Sequence, residues 1–489
     1  MKIIRNIAFT ALSVATLAAC NGTEEPIPTV NVTPEPTVNV TPEPTVNVTP
    51  EPTVNVTPEP TVNVTPEPTV NVTPEPIVNV TPEPIVNVTP SPSAVDSLAF
   101  ETFEIPLSGT ANNGSTTSNT VFPASRPNGG LTLAWNELDQ GHLMRLDSNM
   151  NPEGIEWDLD GLMIVRVLGL PDDGLAVLVI DWTSGMTDSF NVDRHLRLFI
   201  YDSEGNKTRE TSIVGGTGTG LKASWFSWGS SPSVDIAANG DRFSIFTKIS
   251  RHWTEESGTH QGDLYIEVDA DGNLDKSTED VWSASHSNLP HLVLGPDGEG
   301  LRLTVGDANP FGLEYQTAEQ YGDVVVWPNA EQREIGKALS RSSVAAGDLC
   351  GFQYRDGRLF ATVAGGREQP FDPSNDFGDV LLLSWSLGIK EGDDISQTWL
   401  TETPTTAEEC PTLTPLGDNH QLIAWGTRGG TTATLALVDE QGKLMGEPTA
   451  STVPFHDQSL AIPMPDGSVA WTYAERNATK VNIVVVKEQ

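Results

Sequence analysis

Basic residues are scarce in this 489-residue chain. Its 27 Lys and Arg stand against 66 Asp and Glu, which leaves a formal net charge of −39. A surface this negative repels the phosphates of nucleic acids and the anionic headgroups of lipids. We therefore expect no nucleic-acid partner. The acidity predicts a well-solvated domain, or one that attracts cations or basic partners.

The common catalytic and metal-binding motifs are also missing from the sequence. No Gly-x-Ser-x-Gly, His-Glu-x-x-His or Walker-type loop occurs. The eight histidines are scattered along the chain without the spacing of a metal-ligand set. The sequence therefore predicts no metal site of this kind and favours a binding module over an enzyme.

The one long apolar run lies at the N-terminus. Lys2 and Arg5 precede an apolar stretch over residues 7–19, which is shorter than the roughly 20 residues that a transmembrane helix needs. The stretch ends in Leu-Ala-Ala-Cys20 and resembles the lipobox of bacterial lipoproteins. The resemblance implies that Cys20 is acylated and anchors the protein to a membrane. An ordinary signal peptide with a chance cysteine is the alternative.

A Pro-rich tether follows the cysteine. In the lipoproteins that the lipobox resembles, Asn21 rather than Asp at this position favours the outer membrane, with the domain in the periplasm or at the cell surface. From Pro28 to Ser91 an eight-residue unit close to Pro-Thr-Val-Asn-Val-Thr-Pro-Glu occurs eight times. Its prolines prevent a helix or a central strand from propagating. A semi-extended chain of this kind, at about 3.1 Å per residue, reaches on the order of 200 Å.

The remaining sequence, from about Leu98, repeats a turn at a regular interval. Short β-branched strands alternate with Gly, Asn and Asp, which is typical of an all-β domain. Seven turns of Asp/Asn-Gly type lie 45 to 66 residues apart, at Asn128-Gly129, Asp173-Gly174, Asn239-Gly240, Asp297-Gly298, Asp356-Gly357, Asp418-Asn419 and Asp466-Gly467. Each repeat has room for four antiparallel strands.

This pattern resembles a β-propeller, and we predict an all-β fold with seven blades. An open pair of β-sandwich sheets, or a ring of six or eight blades, is the alternative. The predicted domains are a signal peptide over residues 1–20, a tether over 21–95 and a propeller over 96–489. The last repeat, 456–489, has room for only three strands. We therefore predict that the unpaired strand at 99–107 completes the last blade and closes the ring, and we expect a monomer.

Two cysteines remain after Cys20. Cys350 lies seven residues before Gly357, and Cys410 lies eight before Asp418. The spacing places both cysteines on the innermost strands of adjacent blades at nearly the same height. An exported protein can keep a disulfide, so we predict a bond between them. Two free buried thiols are the alternative.

The two faces of the predicted propeller differ in their connections and in their residue composition. The loops between second and third strands share a face with the blade-to-blade connections, which we name the long-loop face. The Asp/Asn-Gly turns lie on the opposite face, which we name the turn face. The long-loop face is rich in aromatic and acidic residues, and we predict these ligand contacts: Trp182, Trp225, Trp228, Trp253, Tyr315, Tyr321, Asp348, Glu408, Glu409 and Asp457.

These residue types suit a binding surface. Aromatic rings with acids on one rim can stack on sugars or grip a peptide, although they can equally pack the loops against each other. We therefore predict a lipid-anchored envelope protein whose propeller binds a glycan or protein ligand through its long-loop face.

A carbohydrate-active enzyme, either a hydrolase or a lyase, is the alternative. It would use carboxylates such as Asp348, Glu408 or Glu409 as acid and base. That function needs two carboxyls facing one cavity at about 5–10 Å, one of them with a raised pKa.

We expect no cofactor, and one turn raises the question of a structural cation. The segment from Asp269 to Asp275 offers alternate oxygen ligands of the kind that Ca²⁺ prefers. The turns at Asp202 and Asp439 occupy the same position in their repeats without the full ligand set. The sequence therefore favours an Asp-capped structural turn.

Overall fold

Seven antiparallel sheets, six of four strands and one of five, form the folded domain in a computed structural model of the chain. A short 3₁₀ turn at Ala94–Ser97 precedes the first strand. No helix in the part of the chain that the structure describes is long and apolar enough to cross a membrane. The structure describes residues 94–489 except 113–119, 139, 182–194, 216–222, 226–233, 253–258, 286–287, 307–311, 318–323, 328–347, 366–377, 391–392, 404–406 and 457–458.

The first three blades follow chain order from the ring axis outwards. Blade 1 contains β2 Phe122–Ser125, β3 Leu131–Glu137, β4 Gln140–Leu146 and β5 Pro152–Leu159. Blade 2 contains β6 Leu162–Gly169, β7 Leu175–Asp181, β8 Leu196–Tyr201 and β9 Lys207–Val214. Blade 3 contains β11 Val234–Asn239, β12 Arg242–His252, β13 Thr259–Val268 and β14 Leu274–Ser285, with the short β10 Ala223–Trp225 added beside β12.

The next three blades repeat this order. Blade 4 contains β15 Asn288–Leu294, β16 Gly300–Gly306, β17 Gly312–Gln316 and β18 Val324–Trp327. Blade 5 contains β19 Asp348–Arg355, β20 Arg358–Gly365, β21 Asp379–Ser386 and β22 Ser396–Trp399. Blade 6 contains β23 Glu408–Leu416, β24 His420–Thr427, β25 Thr432–Asp439 and β26 Thr449–Pro454.

The seventh blade joins the two ends of the domain. Its strands are β27 Ile462–Pro463, β28 Val469–Tyr473, β29 Ala478–Glu488 and, outermost, β1 Leu98–Ala111. Strand β1 runs antiparallel to β29, with Leu98 opposite Glu488 and Pro106 opposite Lys480. The predictions of seven blades and of a closing strand before the first repeat are therefore confirmed.

All seven predicted Asp/Asn-Gly turns join the first and second strands of a blade. The turn between β19 and β20 shows why these residue types recur. Asp356 and Gly357 both have positive φ, 49° and 80°, as a two-residue turn that matches the twist of its strands requires. Residues with long or branched side chains rarely adopt this conformation. The recurring Asp/Asn-Gly pairs in the sequence thus reflect the backbone conformation of these turns.

The core lies between the blades. Seven clusters of buried apolar side chains occur in the described residues, one between each pair of neighbouring blades. The cluster between blades 2 and 3 contains 17 buried apolar residues. The second strands of three blades each carry a fully buried tryptophan: Trp135, Trp425 and Trp471. Burial of such faces is the main favourable term for stacking the sheets.

One interface differs from the other six. Between blades 3 and 4 the apolar cluster contains only Phe246, Tyr265 and Leu292 as buried members. Charged and polar side chains that are at most 2% exposed fill the rest of this interface: Lys248, Asp263, Arg302, Glu314 and Gln316. We name this interface the polar seam.

The contacts across the polar seam involve both blades. The Arg302 guanidinium of blade 4 lies 4.6 Å from the centre of the Tyr265 ring of blade 3. Gln316 Nε2 donates to Asp263 Oδ2 at 3.4 Å, and Asp263 lies opposite Lys248 on the neighbouring strand. Burial lowers the pKa of Lys248 to about 7. Blades 3 and 4 therefore associate largely through buried charged side chains. Such contacts stabilise an interface less than buried apolar contacts of similar volume.

The closing strand provides a test of ring stability. Ile105 of β1 is 4% exposed and packs in the cluster between blades 7 and 1. We expect Ile105→Ala to lower the free energy of unfolding by about 3 kcal/mol, because it removes buried methyl groups and leaves a cavity. Urea unfolding of the full chain measures the change. Thr102→Ala, at an exposed position of the same strand, should stay within about 0.5 kcal/mol. Equal losses in both variants would contradict a role of the buried face.

Candidate functional site

The long-loop face is strongly asymmetric around the ring. The connection between second and third strands has two residues in blade 1, 138–139, and four in blade 6, 428–431. The same connection has fourteen residues in blade 2, 182–195, and thirteen in blade 5, 366–378. A further twenty residues, 328–347, connect blade 4 to blade 5. The additional chain is thus concentrated on blades 2 to 5, on a scaffold of short turns elsewhere.

Of the ten predicted ligand contacts, only Trp182 lies in one of these long connections. Five of them lie outside the described residues: Trp182, Trp228, Trp253, Tyr321 and Asp457. For two more the backbone is placed, at the end of β10 for Trp225 and at the start of β19 for Asp348. The side chains of these two also lie outside the description. Their roles as ligand contacts stay predictions.

Tyr315 is a correction to the sequence prediction. It lies on β17, the third strand of blade 4, and its side chain is 0% exposed. Its ring packs edge-on against Trp385 of blade 5 at 5.7 Å between ring centres, inside the apolar cluster between these blades. In the sequence Tyr315 lies close to a predicted loop. Because side chains alternate between the two faces of a strand, its side chain points into the interface between blades 4 and 5. Tyr315 therefore cannot contact a ligand on the surface.

Glu408 and Glu409 are the first two residues of β23, and the strand turns them to different surroundings. Glu409 accepts a hydrogen bond from Nε of Arg428 at 2.7 Å, and Arg428 is 68% exposed. Glu408 is only 5% exposed. An exposed ion pair of this kind contributes little to stability. A buried carboxyl, in contrast, must be protonated or well satisfied.

The Glu408 carboxyl shares a hydroxyl group with Asp379. The Oγ1 atom of Thr403 lies 2.8 and 3.0 Å from the two carboxyl oxygens of Glu408, and 3.3 Å from Oδ1 of Asp379. Burial raises the pKa of Glu408 to about 7, and the nearby charge of Asp379 acts in the same direction. A protonated Glu408 can donate to Thr403, whose hydroxyl then donates to Asp379. The two carboxyls are therefore at most about 6 Å apart.

A cavity of about 260 Å³ lies in the central channel. Its lining comes from the innermost strand of every blade, from β2 to β27. Among the described lining residues are Cys350 of blade 5 and Cys410 of blade 6, which form a disulfide with their Cα atoms 5.1 Å apart. Glu408, Glu409 and Asp379 are not among the described residues that line this cavity.

Three polar lining residues of the channel were missed by the sequence interpretation. They are Arg166, Asp235 and His291, on the innermost strands of blades 2, 3 and 4. Each stands alone among apolar neighbours in a short strand, which is the signal that could have found them. A charged or imidazole side chain inside a buried strand requires a partner or a function.

The Asp269 turn uses its carboxylate to hold the backbone. Oδ1 of Asp269 accepts from the amides of Asp271 at 3.0 Å and Asn273 at 2.8 Å. Asp202 and Asp439 make the same pair of bonds in blades 2 and 6. The shared geometry supports a structural turn. Among the residues with described placement, no group of three or more His, Cys, Asp or Glu is arranged to hold a metal.

The Glu408 carboxyl predicts a specific pH dependence of stability. Its folded-state pKa, about 7, lies above the ordinary value of 4.5. Its protonation therefore favours the folded state fully below about pH 4.5, and this contribution is lost as the pH rises from about 4.5 to 7. We expect Glu408→Gln, a neutral isostere, to flatten this part of the stability profile.

Urea unfolding of the full chain at pH 4.5 and 7.5 measures this difference. Glu409→Gln is the matched control, since its carboxyl pairs with an exposed arginine, and it should leave the slope as in the parent protein. A slope that persists unchanged in Glu408→Gln would contradict the assignment.

Comparison with known proteins identifies relatives by fold only. No protein-family profile and no curated protein matches the sequence. The WD40 domain of Toxoplasma gondii coronin aligns over 80% of this chain and 87% of its own, at 11% identity and a TM-score of 0.45. The lectin BP39L from Burkholderia pseudomallei aligns over 74% and 98%, at 10% identity and a TM-score of 0.45.

The polysaccharide lyase Uly1 is also similar, over 79% of this chain and 99% of its own, at 10% identity and a TM-score of 0.43. Similarity at this level concerns the fold and transfers no activity. The chain is a seven-bladed, all-β propeller, and its function has to be argued from its own residues.

Proposed function

We propose that the protein is a lipid-anchored envelope protein, acting as a monomer, whose propeller binds a glycan or protein ligand through its long-loop face. The observation that carries this proposal is the concentration of long connections on blades 2 to 5 of one face. Binding residues are found disproportionately on loops that a rigid scaffold positions. Connections of thirteen to twenty residues are longer than those that usually join strands in a compact domain, and connections of this length are often functional.

The composition of these loops supports the same proposal. Two of the long connections contain aromatic residues, Trp182 and Phe190 in 182–195 and Phe371 and Phe377 in 366–378. Aromatic side chains provide large contact area at low entropic cost in recognition surfaces. The turn face, in contrast, uses its Asp side chains to cap its own backbone, as at Asp202 and Asp269. The Asp side chains of the turn face thus serve the structure, whereas we propose that the long-loop face serves recognition.

The Pro-rich tether fits a presenting role. Residues 28–91 precede the ring in sequence, and their composition favours an extended chain with a reach on the order of 200 Å. A lipid at Cys20 would hold one end at a membrane, and more than one acyl chain gives stable anchoring. The proposed arrangement places a recognition domain well away from the lipid surface, on the periplasmic side or outside the cell.

A carbohydrate-active enzyme is the second candidate, favoured by one observation. Glu408 has a raised pKa of about 7 and a second carboxyl, Asp379, within about 6 Å, which suits an acid and its partner. However, both carboxyls bond to Thr403, and neither is among the described residues that line the channel cavity. Binding has the better support, because a substrate needs open space between the two acids.

Replacing Cys20 tests the lipid anchor. We expect Cys20→Ala to abolish labelling by an alkyne fatty-acid analogue and to move the protein from the membrane fraction to the soluble fraction, because the acylated sulfur is removed. In-gel detection of the labelled full chain in bacterial cells measures both changes. The double variant Cys350→Ala, Cys410→Ala removes the other two cysteines and should keep the label. Label that survives in Cys20→Ala would refute the anchor.

Shortening the long connections tests the binding face. We expect replacement of residues 182–195 and 366–378 by two-residue turns to abolish binding of the full chain to glycan and peptide arrays. The matched control replaces 428–431, a short connection on the same face in blade 6, by a different four-residue turn. It should keep the array signals. Signals that persist after both long loops are removed would contradict the proposal. Release of new reducing ends from an array-positive glycan, lost in Glu408→Gln, would favour the enzyme.

A further inference from the structure

The innermost strands are irregular where they line the channel. Pairing with the second strand shifts register in β6 between Ile164 and Arg166, and in β15 between Asn288 and His291. It also shifts in β19 and β23, at Cys350 and over Cys410 and Pro411. Bulges of this kind redirect side chains and are concentrated next to functional sites. Four of the seven innermost strands, in blades 2, 4, 5 and 6, thus carry a bulge beside the same channel.

Two residues at these bulges adopt an unfavourable backbone conformation. Leu289 has φ 54° and Cys410 has φ 46°, in the left-handed region that non-glycine residues rarely occupy. Such conformations persist only where the surrounding structure enforces them, and they cluster at ligand sites. Cys410 lines the cavity itself, and Leu289 precedes the lining residues Pro290 and His291.

The bulged strands place an arginine with unused donors at the cavity. Nη2 of Arg166 lies 2.9 Å from Oδ1 of Asp235. Asp235 also accepts from the amides of Ile236 and Leu292, both at 3.0 Å, so its carboxylate is held by three donors. A guanidinium has five N–H donors in a planar fork, and Arg166 lines the cavity with 24% of its side chain exposed. It can therefore present a free pair of donors to a ligand.

His291 adds an acceptor rather than a second charge. Its Nε2 lies 3.0 Å from the carbonyl oxygen of Leu349, and a carbonyl only accepts, so Nε2 carries the proton. Burial lowers the pKa of His291, and the charge of Arg166 acts in the same direction, against the opposing charge of Asp235. The ring is therefore neutral at neutral pH and leaves Nδ1 as an acceptor.

The other walls of the cavity are mainly apolar. They include Val167, Val234, Phe352, Leu413, Leu460 and Ile462. At about 30 Å³ per water, 260 Å³ corresponds to roughly nine waters, which matches a small organic molecule. An apolar cavity with a few convergent polar groups is the usual form of a small-molecule site. The donor fork of Arg166 matches the two oxygens of a carboxylate.

We propose that the central channel is a binding site for a small carboxylate with an apolar body, whose carboxylate pairs with the guanidinium of Arg166. This site is separate from the proposed partner-binding function of the long-loop face. It lies at the ring axis, and its residues come from the innermost strands. A hydroxyl or N–H group on the ligand would find its acceptor at Nδ1 of His291.

Sodium benzoate and its neutral isostere benzamide are suitable probes. Ligand-detected NMR titration of the full chain at about 0.15 M salt, where surface charges are largely screened, measures both affinities. We expect benzoate to bind at least tenfold more tightly than benzamide. Arg166→Met should weaken benzoate at least tenfold, and Arg166→Lys, which keeps the charge but loses the fork, should weaken it measurably. The matched control Arg242→Met removes a charge from β12, where Arg242 is 50% exposed and pairs with Glu267, and should change the affinity less than twofold.

A second variant makes the test independent of the Arg166–Asp235 pair. Leu460→Trp fills the cavity from the connection between blades 6 and 7, leaves Arg166 in place, and should abolish binding of both probes. Benzoate that binds Arg166→Met or Leu460→Trp as tightly as the parent protein would overturn the proposal. Equal affinities for benzoate and benzamide, or no binding of either to the parent protein, would overturn it as well.

Discussion

Nine backbone pairs between β1 and β29, from Leu98 opposite Glu488 to Pro106 opposite Lys480, hold the two ends of the folded domain together. Every other sheet is made from strands that follow each other in sequence and form locally. Only this pairing must bring together residues nearly 400 positions apart, and its entropic cost rises with loop length only slowly. Once it forms, each blade has a neighbour on both sides, and no apolar face is left open. The channel, its cavity and the two faces exist only as consequences of that closure.

Ring closure also explains how structure and recognition are divided between the two faces. The turn face joins first to second strands through tight turns with positive-φ positions that few residue types adopt, as at Asp356 and Gly357. The opposite face tolerates connections of very different length, from two residues in blade 1 to fourteen in blade 2. Its loops can lengthen without disturbing the cores between the blades, as those of blades 2 to 5 have done. The proposed binding function uses this freedom.

The fold was accessible from sequence because the determinants of a blade are local. Turn residues such as Asn239-Gly240 repeat at each blade. The unpaired strand before Asn128 could be assigned to the last blade, because that blade had room for only three strands of its own. The site was less accessible, because it depends on contacts between blades. Tyr315 read as a loop aromatic, whereas the alternation of β17 turns it against Trp385. The pKa of Glu408 is raised mainly by burial, and the charge of Asp379 in the preceding blade adds to it. Arg166 meets Asp235 only across two blades. No spacing along the chain encodes these distances.

The polar seam and the closing blade lie at opposite points of the ring. Blades 3 and 4 are each three blades away from blade 7, so the joint held by buried charge lies diametrically opposite the blade that holds both chain ends. The buried polar residues Lys248, Asp263 and Arg302 thus lie on the opposite side of the ring from the pairing of β1 with β29. If blades 3 and 4 separated at this interface, β1 would remain paired with β29. Because every sheet lies within a single blade, an opening at this interface would break no strand pairing.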